Sequence, residues 1–385
     1  MFSELSHRSV NWIDGMKIAR KHFLEMENFT IDRVRDAIAL GLSSHSYGLL
    51  PSEGSKSYEV FISCDYTQQI NVKVVNCRAV TADGCRIEII QSDDLVLNTS
   101  YSQLLQQYNI QPSKENIFYV VLSVDLFARQ PAGEPQMEEH PPRHPYTVPG
   151  YKVSIVPASQ IQTASFNVSH LIIGKIIYQS GELKPVRNYI PACMAVNSFP
   201  LLMESYLSFA SLLNDLETYA FRIVHKIRSK SKSTLGESIY FVLEKLLFSM
   251  SDEIIAFRWF MPHKPPVVMM EFLLQLIQTL KTGINLLPDK DREELLGYFA
   301  EWSGVASGAI EFKLDTLITL QYNHAEIAPI ISEIDDFMRL LVDLFGKLSQ
   351  LEFIGKRKGQ QTVFVVENPV VEATPVEKKN RWSPI

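Results

Sequence analysis

The chain has 385 residues, 46% of them hydrophobic and 21% charged, enough apolar material for two or three ordinary cores and too much for a disordered tail. A formal net charge of −6 argues against a general nucleic-acid binder, which needs a basic excess to neutralise phosphates, though local basic patches remain open. Met1 to Arg20 lacks the apolar core of a secretory signal, and no run of about 18 uncharged apolar residues occurs, so the expectation is a cytoplasmic protein with no direct membrane insertion.

In chain order, the first dense feature is Val10 to Phe23, VNWIDGMKIARKHF, where Trp12, Asp14, Gly15, Met16, His22 and Phe23 crowd together. A histidine on a helical turn beside an aromatic is more often a hydrogen-bonded structural residue than a base, and His22 is read that way. Up to about residue 197 the pattern then alternates with period two. Tyr58 to Cys64, Ile70 to Val75, Ile117 to Phe127, Tyr151 to Val156 and Leu171 to Tyr178 read as strands, and Arg78 to Ile90 as a hairpin turning at Asp83-Gly84. A series of separate strands points to a sandwich or barrel. Gln130 to Gly150 carries six prolines, which predict an extended contact arm without regular pairing. The four cysteines, 64, 77, 85 and 193, sit in apolar or alternating segments without a CxxC pair and read as reduced, buried thiols.

From Pro200 the period becomes helical. Leu202, Tyr206, Phe209, Leu213, Leu216, Ala220, Ile223 and Ile227 follow at alternating gaps of four and three, an a/d seam that calls for a partner helix in the same chain or in another copy. Further helices are predicted over Leu235 to Phe260, Pro266 to Leu286, Asp291 to Ile310 and Ile327 to Leu351. Asp291 with Glu294 suggests a capping box, and Gly304 with Gly308 a strip for close backbone approach. The short connections predict an up-and-down bundle. The fold class is therefore α+β: a β-sandwich-like domain over residues 1–197, a helical bundle over 198–353 and an extended tail over 354–385. That tail holds six basic residues against three acidic ones. Its TVFVV run, with Phe364 and Val366, suits strand addition, and Trp382 suits a terminal anchor.

Candidate chemistry is sparse. His140 and His144 are separated by prolines and lack a third ligand, so no metal site is expected. Ser229-Lys230-Ser231-Lys232 matches SxxK formally but lies in a basic run at a helix end, where cations suit the helix dipole. No phosphate loop, nucleophile elbow, zinc pair or dinucleotide fingerprint occurs. The expectation is a non-enzyme without cofactors, with an unrecognised hydrolase as the alternative if the β half holds a polar pocket.

Trp12-Ile13-Asp14-Gly15-Met16 followed by His22-Phe23 resembles the W-x-E-G-M/L…H-F signature of TssK, the baseplate subunit of type VI secretion systems. Tyr47-Gly48, Ile190-Pro191-Ala192-Cys193-Met194 and Tyr322-Asn323-His324 resemble later landmarks of that family in the same order. Asp14, Ala192 and Asn323 depart from its glutamate, proline and aspartate. The family's usual C-terminal head has no room in the roughly thirty residues left after the bundle, so the likeness is to a divergent, Bacteroidota-type branch.

The resemblance implies a shoulder and a neck that join as a homotrimer of a contractile injection machine at the cytoplasmic face of the inner membrane. It also implies wedge partners of the TssF and TssG type on the shoulder, and membrane-anchoring components at the far end. The seam of Leu202, Tyr206, Phe209, Leu213, Leu216, Ile223 and Ile227 would then help build the trimer core. Trp12 and Phe23 would either pin the N-terminal arm by burial or face the wedge. A phage-tail-like shoulder or receptor-binding protein shares this layout and stands as the runner-up.

Overall fold

The computed structural model describes residues 4–51, 57–111, 113–161, 169–230 and 233–357. Nine strands lie in the first half of the chain: β1 (Gly48–Leu49), β2 (Tyr58–Cys64), β3 (Gln69–Val80), β4 (Arg86–Ile89), β5 (Val96–Ser100), β6 (Glu115–Ala132), β7 (Tyr146–Pro157), β8 (Ser169–Gln179) and β9 (Glu182–Pro185). They form two antiparallel sheets. In the first, β3 runs through the middle, and the overlap of registers puts β1 and β2 along one edge and β4 and β5 along the other. The second has the order β7-β6-β8-β9. Alternating Val and Ile residues turn one face of each sheet inward, where Ile70, Val72, Val74, Val120, Leu122 and Ile173 are buried. The sheets meet where the Tyr58 hydroxyl donates to the Ile173 carbonyl at 2.5 Å. A Cβ on Gly174 would come within 2.3 Å of Ile62 Cδ1, so glycine there admits the Ile62 side chain.

The proline-rich arm differs from expectation. β6 and β7 stay paired through Gln130↔Val148, Pro131↔Thr147 and Ala132↔Tyr146, which leaves a tip of residues 133–145. Among the described residues β8 pairs with β6 no further than Ser169↔Val124, and Pro131 pairs with β7 alone. Two helices in this half escaped the alternation pattern. They are α1 (Arg20–Ala39) and α2 (Tyr101–Tyr108), the latter opened by a Ser100/Gln103 capping box.

The second half is helical: α3 (Pro200–Lys230), α4 (Thr234–Phe260), α5 (Pro266–Asn285), α6 (Asp289–Ser303), α7 (Ser307–Thr319) and α8 (Ile327–Gln350). The predicted helix over Asp291 to Ile310 is two helices, because Gly304 adopts φ +78 and ends α6 in the left-handed conformation. Asp291 lies inside α6, which Pro288 precedes without a side-chain cap, so the expected capping box is not formed. Among the described residues no backbone approaches Gly304 or Gly308: a Cβ at either would meet nothing within 4 Å. α5 is long and apolar enough to cross a membrane, yet half of its most apolar window is buried in the bundle, with Met269, Leu273, Leu276 and Ile277 in the core.

The a/d seam of α3 is the main correction. Leu202, Phe209, Leu213, Leu216, Ala220, Ile223 and Ile227 are at most 3% exposed within a single chain, and Tyr206 is 7% exposed. α3 packs between α8 and α4, so the partner helices are intramolecular. These residues present no face to another copy. The Tyr206 hydroxyl donates to the Arg258 carbonyl of α4 at 3.1 Å. At the far end, Lys226 Nζ donates to the carbonyls of Ser349 (2.7 Å) and Leu351 (2.5 Å), meeting the negative end of α8. Leu213→Ala should therefore act as a core truncation, lowering the free energy of unfolding in denaturant titrations by about 3 kcal/mol.

Candidate protein-interaction site

The N-terminal segment is held by one buried carboxylate. Asp32 on α1, 1% exposed, accepts the backbone N–H groups of Ser6 (2.7 Å) and His7 (3.0 Å) on one oxygen and Arg35 Nε (3.1 Å) on the other. Arg35 Nη2 completes the ion pair at 3.0 Å. Burial pushes the Asp32 carboxyl up, but the His7 and Ser6 amides and the Arg35 guanidinium outweigh it and hold the group below the usual carboxylate range. No local sequence motif marks this anchor, since the amides that Asp32 holds lie some 25 residues away.

Beyond the anchor the chain makes a turn at Ile13-Asp14-Gly15-Met16, where Met16 N–H donates to Ile13 O and Gly15 takes φ +78, a conformation that favours glycine. His22 is buried, and its Nδ1 accepts the Ala19 N–H at 3.2 Å across the first turn of α1. Trp12 and Phe23 are 46% and 53% exposed, so neither is a buried pin. Asp14 is exposed and Met16 half-buried. Phe23 shares an outward face of α1 with Met26, Val34 and Ile38, all exposed, while Trp12, Ile13 and Ile18 add apolar surface from the preceding arm. The helical spacing of Phe23, Met26, Thr30, Val34 and Ile38 was visible in the sequence. The base of the β6–β7 arm is tied to the same helix by Arg129, which bonds Asn28 (2.7 Å) and Glu27 (3.0 Å). Phe364, Val366 and Trp382 lie outside the described residues.

The other sequence landmarks meet at the joint between sheets and bundle. Leu49 N–H donates to Ala192 O (2.8 Å) and Met194 N–H to Leu49 O (2.9 Å), stitching Tyr47-Gly48 to the Ile190–Met194 stretch. Gly48, at φ +112, is required: a Cβ would lie 2.0 Å from the Ala192 carbonyl oxygen. His324, ahead of α8, reaches the Tyr47 carbonyl with Nε2 at 2.8 Å, while its Nδ1 lies 2.8 Å from the Tyr322 hydroxyl. A carbonyl only accepts, so Nε2 carries the proton and Nδ1 accepts from Tyr322. Burial pushes the imidazole down to about 4, with His45 adding to the effect against the Tyr47 carbonyl. Tyr189 OH donates to Ala325 O at 2.7 Å, and Lys175 pairs with Glu326 beside it.

A cavity of about 480 Å³ lies between the arm and the sheets, lined by Glu4, Asp32, Arg35, Asp83, Asp125 and Ser169 among others. Its polar groups engage one another: Ser169 donates to Asp83, and Arg35 is held by Asp32. The Cys85 thiol beside Ser169 is pushed up to about 11 by burial and stays protonated at neutral pH. Burial likewise raises the thiols of Cys64 and Cys77, to about 11 and about 12. Among the described residues no group of three His, Cys, Asp or Glu side chains is placed to hold a metal ion. His144 Nδ1 instead bonds the Gly133 carbonyl at 2.7 Å.

Fold and surface together define a two-part scaffold: a β sandwich with an apolar N-terminal face, rigidly joined to a helical bundle. No family model matches the chain, and no curated protein does. Among solved structures it is similar to a chain of a type VI secretion TssK-TssF-TssG baseplate subcomplex, with TM-score 0.51 and 13% identity over 88% of this chain and 100% of that one. It is also similar to a chain of the type VI secretion baseplate complex, with TM-score 0.52 and 14% identity over 87% of this chain and 99% of that one. The chain shares the fold of these baseplate chains.

Two outcomes follow from the joint and the anchor. An unfolded histidine titrates near 6.5 and folded His324 near 4, so its contribution is complete above about pH 6.5. It falls by about 3 kcal/mol as pH drops to about 4. Melting curves from pH 7 to 4.5 should slope accordingly, and His324→Leu should flatten that slope. Asp32→Ala leaves Arg35 buried without its partner, at a cost of about 3 kcal/mol. It should also abolish hydrogen-exchange protection at the Ser6 and His7 amides.

Proposed function

We propose that this protein is a non-enzymatic, trimeric adaptor of a type VI secretion baseplate. Residues 1–197 serve as the shoulder and 198–353 as the neck. The shoulder carries wedge proteins of the TssF and TssG kind, and the opposite end faces membrane-anchoring components at the cytoplasmic face of the inner membrane. The observation that carries this reading is the fold shared over nearly the whole of both chains with a chain of a TssK-TssF-TssG subcomplex. Three copies present three equivalent docking faces, and multivalency turns modest single contacts into firm attachment.

Within that reading the wedge sits on the outward face of α1 and the arm before it. A half-exposed tryptophan beside Phe23, Met26, Val34 and Ile38 gives the aromatic and aliphatic anchors that protein interfaces concentrate, and a water-filled surface gains little from exposing them. His22 and Gly15 shape the arm that presents Trp12. A Phe23→Asp/Val34→Asp variant, co-expressed with the neighbouring wedge proteins, should lose at least tenfold in affinity while its melting temperature stays within about 2 °C, both positions being exposed. Undiminished co-purification would assign the wedge to another face.

A further inference from the structure

A second cleft, of about 480 Å³, opens within the N-terminal arm against the first turns of α1. Its walls are the segment Ser6 to Asn11 together with Met16, His22 and Glu25, and among the described residues no hydrogen bond or ion pair joins their side chains to one another. His22 is 8% exposed, and its Nδ1 is taken by the Ala19 amide. An imidazole nitrogen that accepts an N–H carries no proton, so the neutral ring keeps its hydrogen on Nε2. Among the described residues that donor has no acceptor. The ring's other contact is Trp12, edge-on at 6.0 Å, which offers no lone pair. A donor more than nine-tenths buried and unpartnered is costly unless something outside the chain supplies the acceptor.

The surroundings favour an anion in that role. The Arg8 guanidinium, on the same walls, is exposed and makes no ion pair among the described residues. From Ser6 to Glu25 four basic residues, Arg8, Lys17, Arg20 and Lys21, stand against two acidic ones, Asp14 and Glu25, in a chain whose formal charge is −6. α1 opens on Arg20 and Lys21 with no acidic residue in its first turn, and its cap position is Ala19, which has no side-chain acceptor. Negative charge normally gathers at that end of a helix, where the dipole is positive. Here the chain adds cations instead and leaves the negative charge to be brought from outside. Glu25 does not fill the role: among the described residues it is the one acid on the walls, it is exposed, and it pairs with neither Arg8 nor His22.

We propose that this cleft seats an acidic side chain of the wedge partner, an Asp or Glu carboxylate that accepts from His22 Nε2–H and pairs with Arg8. This rests on the docking of the wedge at the N-terminal face and names what the partner brings to it. Trp12 and Phe23, beside these residues in the chain, supply contact area, and the carboxylate fixes the register of that contact. The Asp32 anchor enters here as well, because holding the Ser6 and His7 amides fixes the backbone that carries Arg8.

Binding of the full-length chain to co-expressed wedge proteins tests the seat. Arg8→Glu should weaken binding at least tenfold with its melting temperature within about 2 °C of wild type, since the position is exposed. His22→Asn keeps an acceptor for the Ala19 amide but no longer extends a donor to the cleft, and it should lose affinity likewise. In an Arg8→Lys chain, a carbodiimide should condense the amine at position 8 with a partner carboxylate, forming an amide while the reagent takes up the water as its urea. Peptide mapping should then find position 8 bonded to an Asp or Glu of the wedge, a bond that the wild-type arginine does not give. If Phe23→Asp/Val34→Asp breaks the complex while Arg8→Glu and His22→Asn bind as wild type does, the wedge keeps this face and the carboxylate seat alone is overturned. Absence of any bond from position 8 to a partner carboxylate overturns the seat as well. If none of these variants weakens binding, the wedge docks elsewhere and both readings fail.

Discussion

The molecule turns on one neutral imidazole. His324 stands at the start of the last helix and hands its single N–H to the carbonyl of Tyr47, 277 residues earlier in the chain. Around that bond the backbone of Leu49 is stitched to Ala192 and Met194, and Tyr189 reaches the Ala325 carbonyl. The His324 and Tyr189 contacts reach the connection between α7 and α8, and the Leu49 contacts tie β1 to the segment that leads into α3. Their combined effect is a stiff joint, because these polar groups bond one another and moving one leaves another unpaired. The environment that makes the joint rigid also keeps the imidazole uncharged.

A stiff joint suits the positioning role proposed for this chain. The apolar face of α1 lies on the sandwich side of it and the helical bundle on the other. If the bundle fixes the spacing of copies, the joint passes that spacing to the sandwich without loss, and the partner meets docking faces at defined separations. The cavity beneath the N-terminal arm serves the same end. Asp32 spends its hydrogen-bonding capacity on the Ser6 and His7 amides and on Arg35, fixing where the arm leaves the domain.

Much of this was legible in the residues. The strands appeared wherever Val and Ile alternated, and the bundle helices wherever period 3.6 held, because burial on one face imposes those periods directly. Helices α1 and α2 were harder to see. α1 exposes apolar residues and buries the charged pair Asp32 and Arg35, which inverts the usual pattern. Tyr47, Gly48, Ala192 and His324 could be singled out as family landmarks, but nothing local to them says that they touch. Their contacts span from 140 to 280 positions, and a distance of that kind leaves no periodic trace.

By itself the sequence determined the class of most sheet strands and bundle helices, the division into a β half and a helical half, and the likeness to TssK, since these depend on local spacing and side-chain chemistry. Tertiary structure decided which apolar stripes are satisfied. The α3 seam from Leu202 to Ile227 looks identical whether its partner is inside the chain or outside it, because a heptad records that a helix will be covered and not by what. Packing of α8 and α4 covered that seam and left Phe248, Ile255 and Trp259 in the open. The same holds at the N-terminus: hydrophobic residues such as Trp12 and Phe23 announce burial, and the fold alone shows that this chain does not supply it.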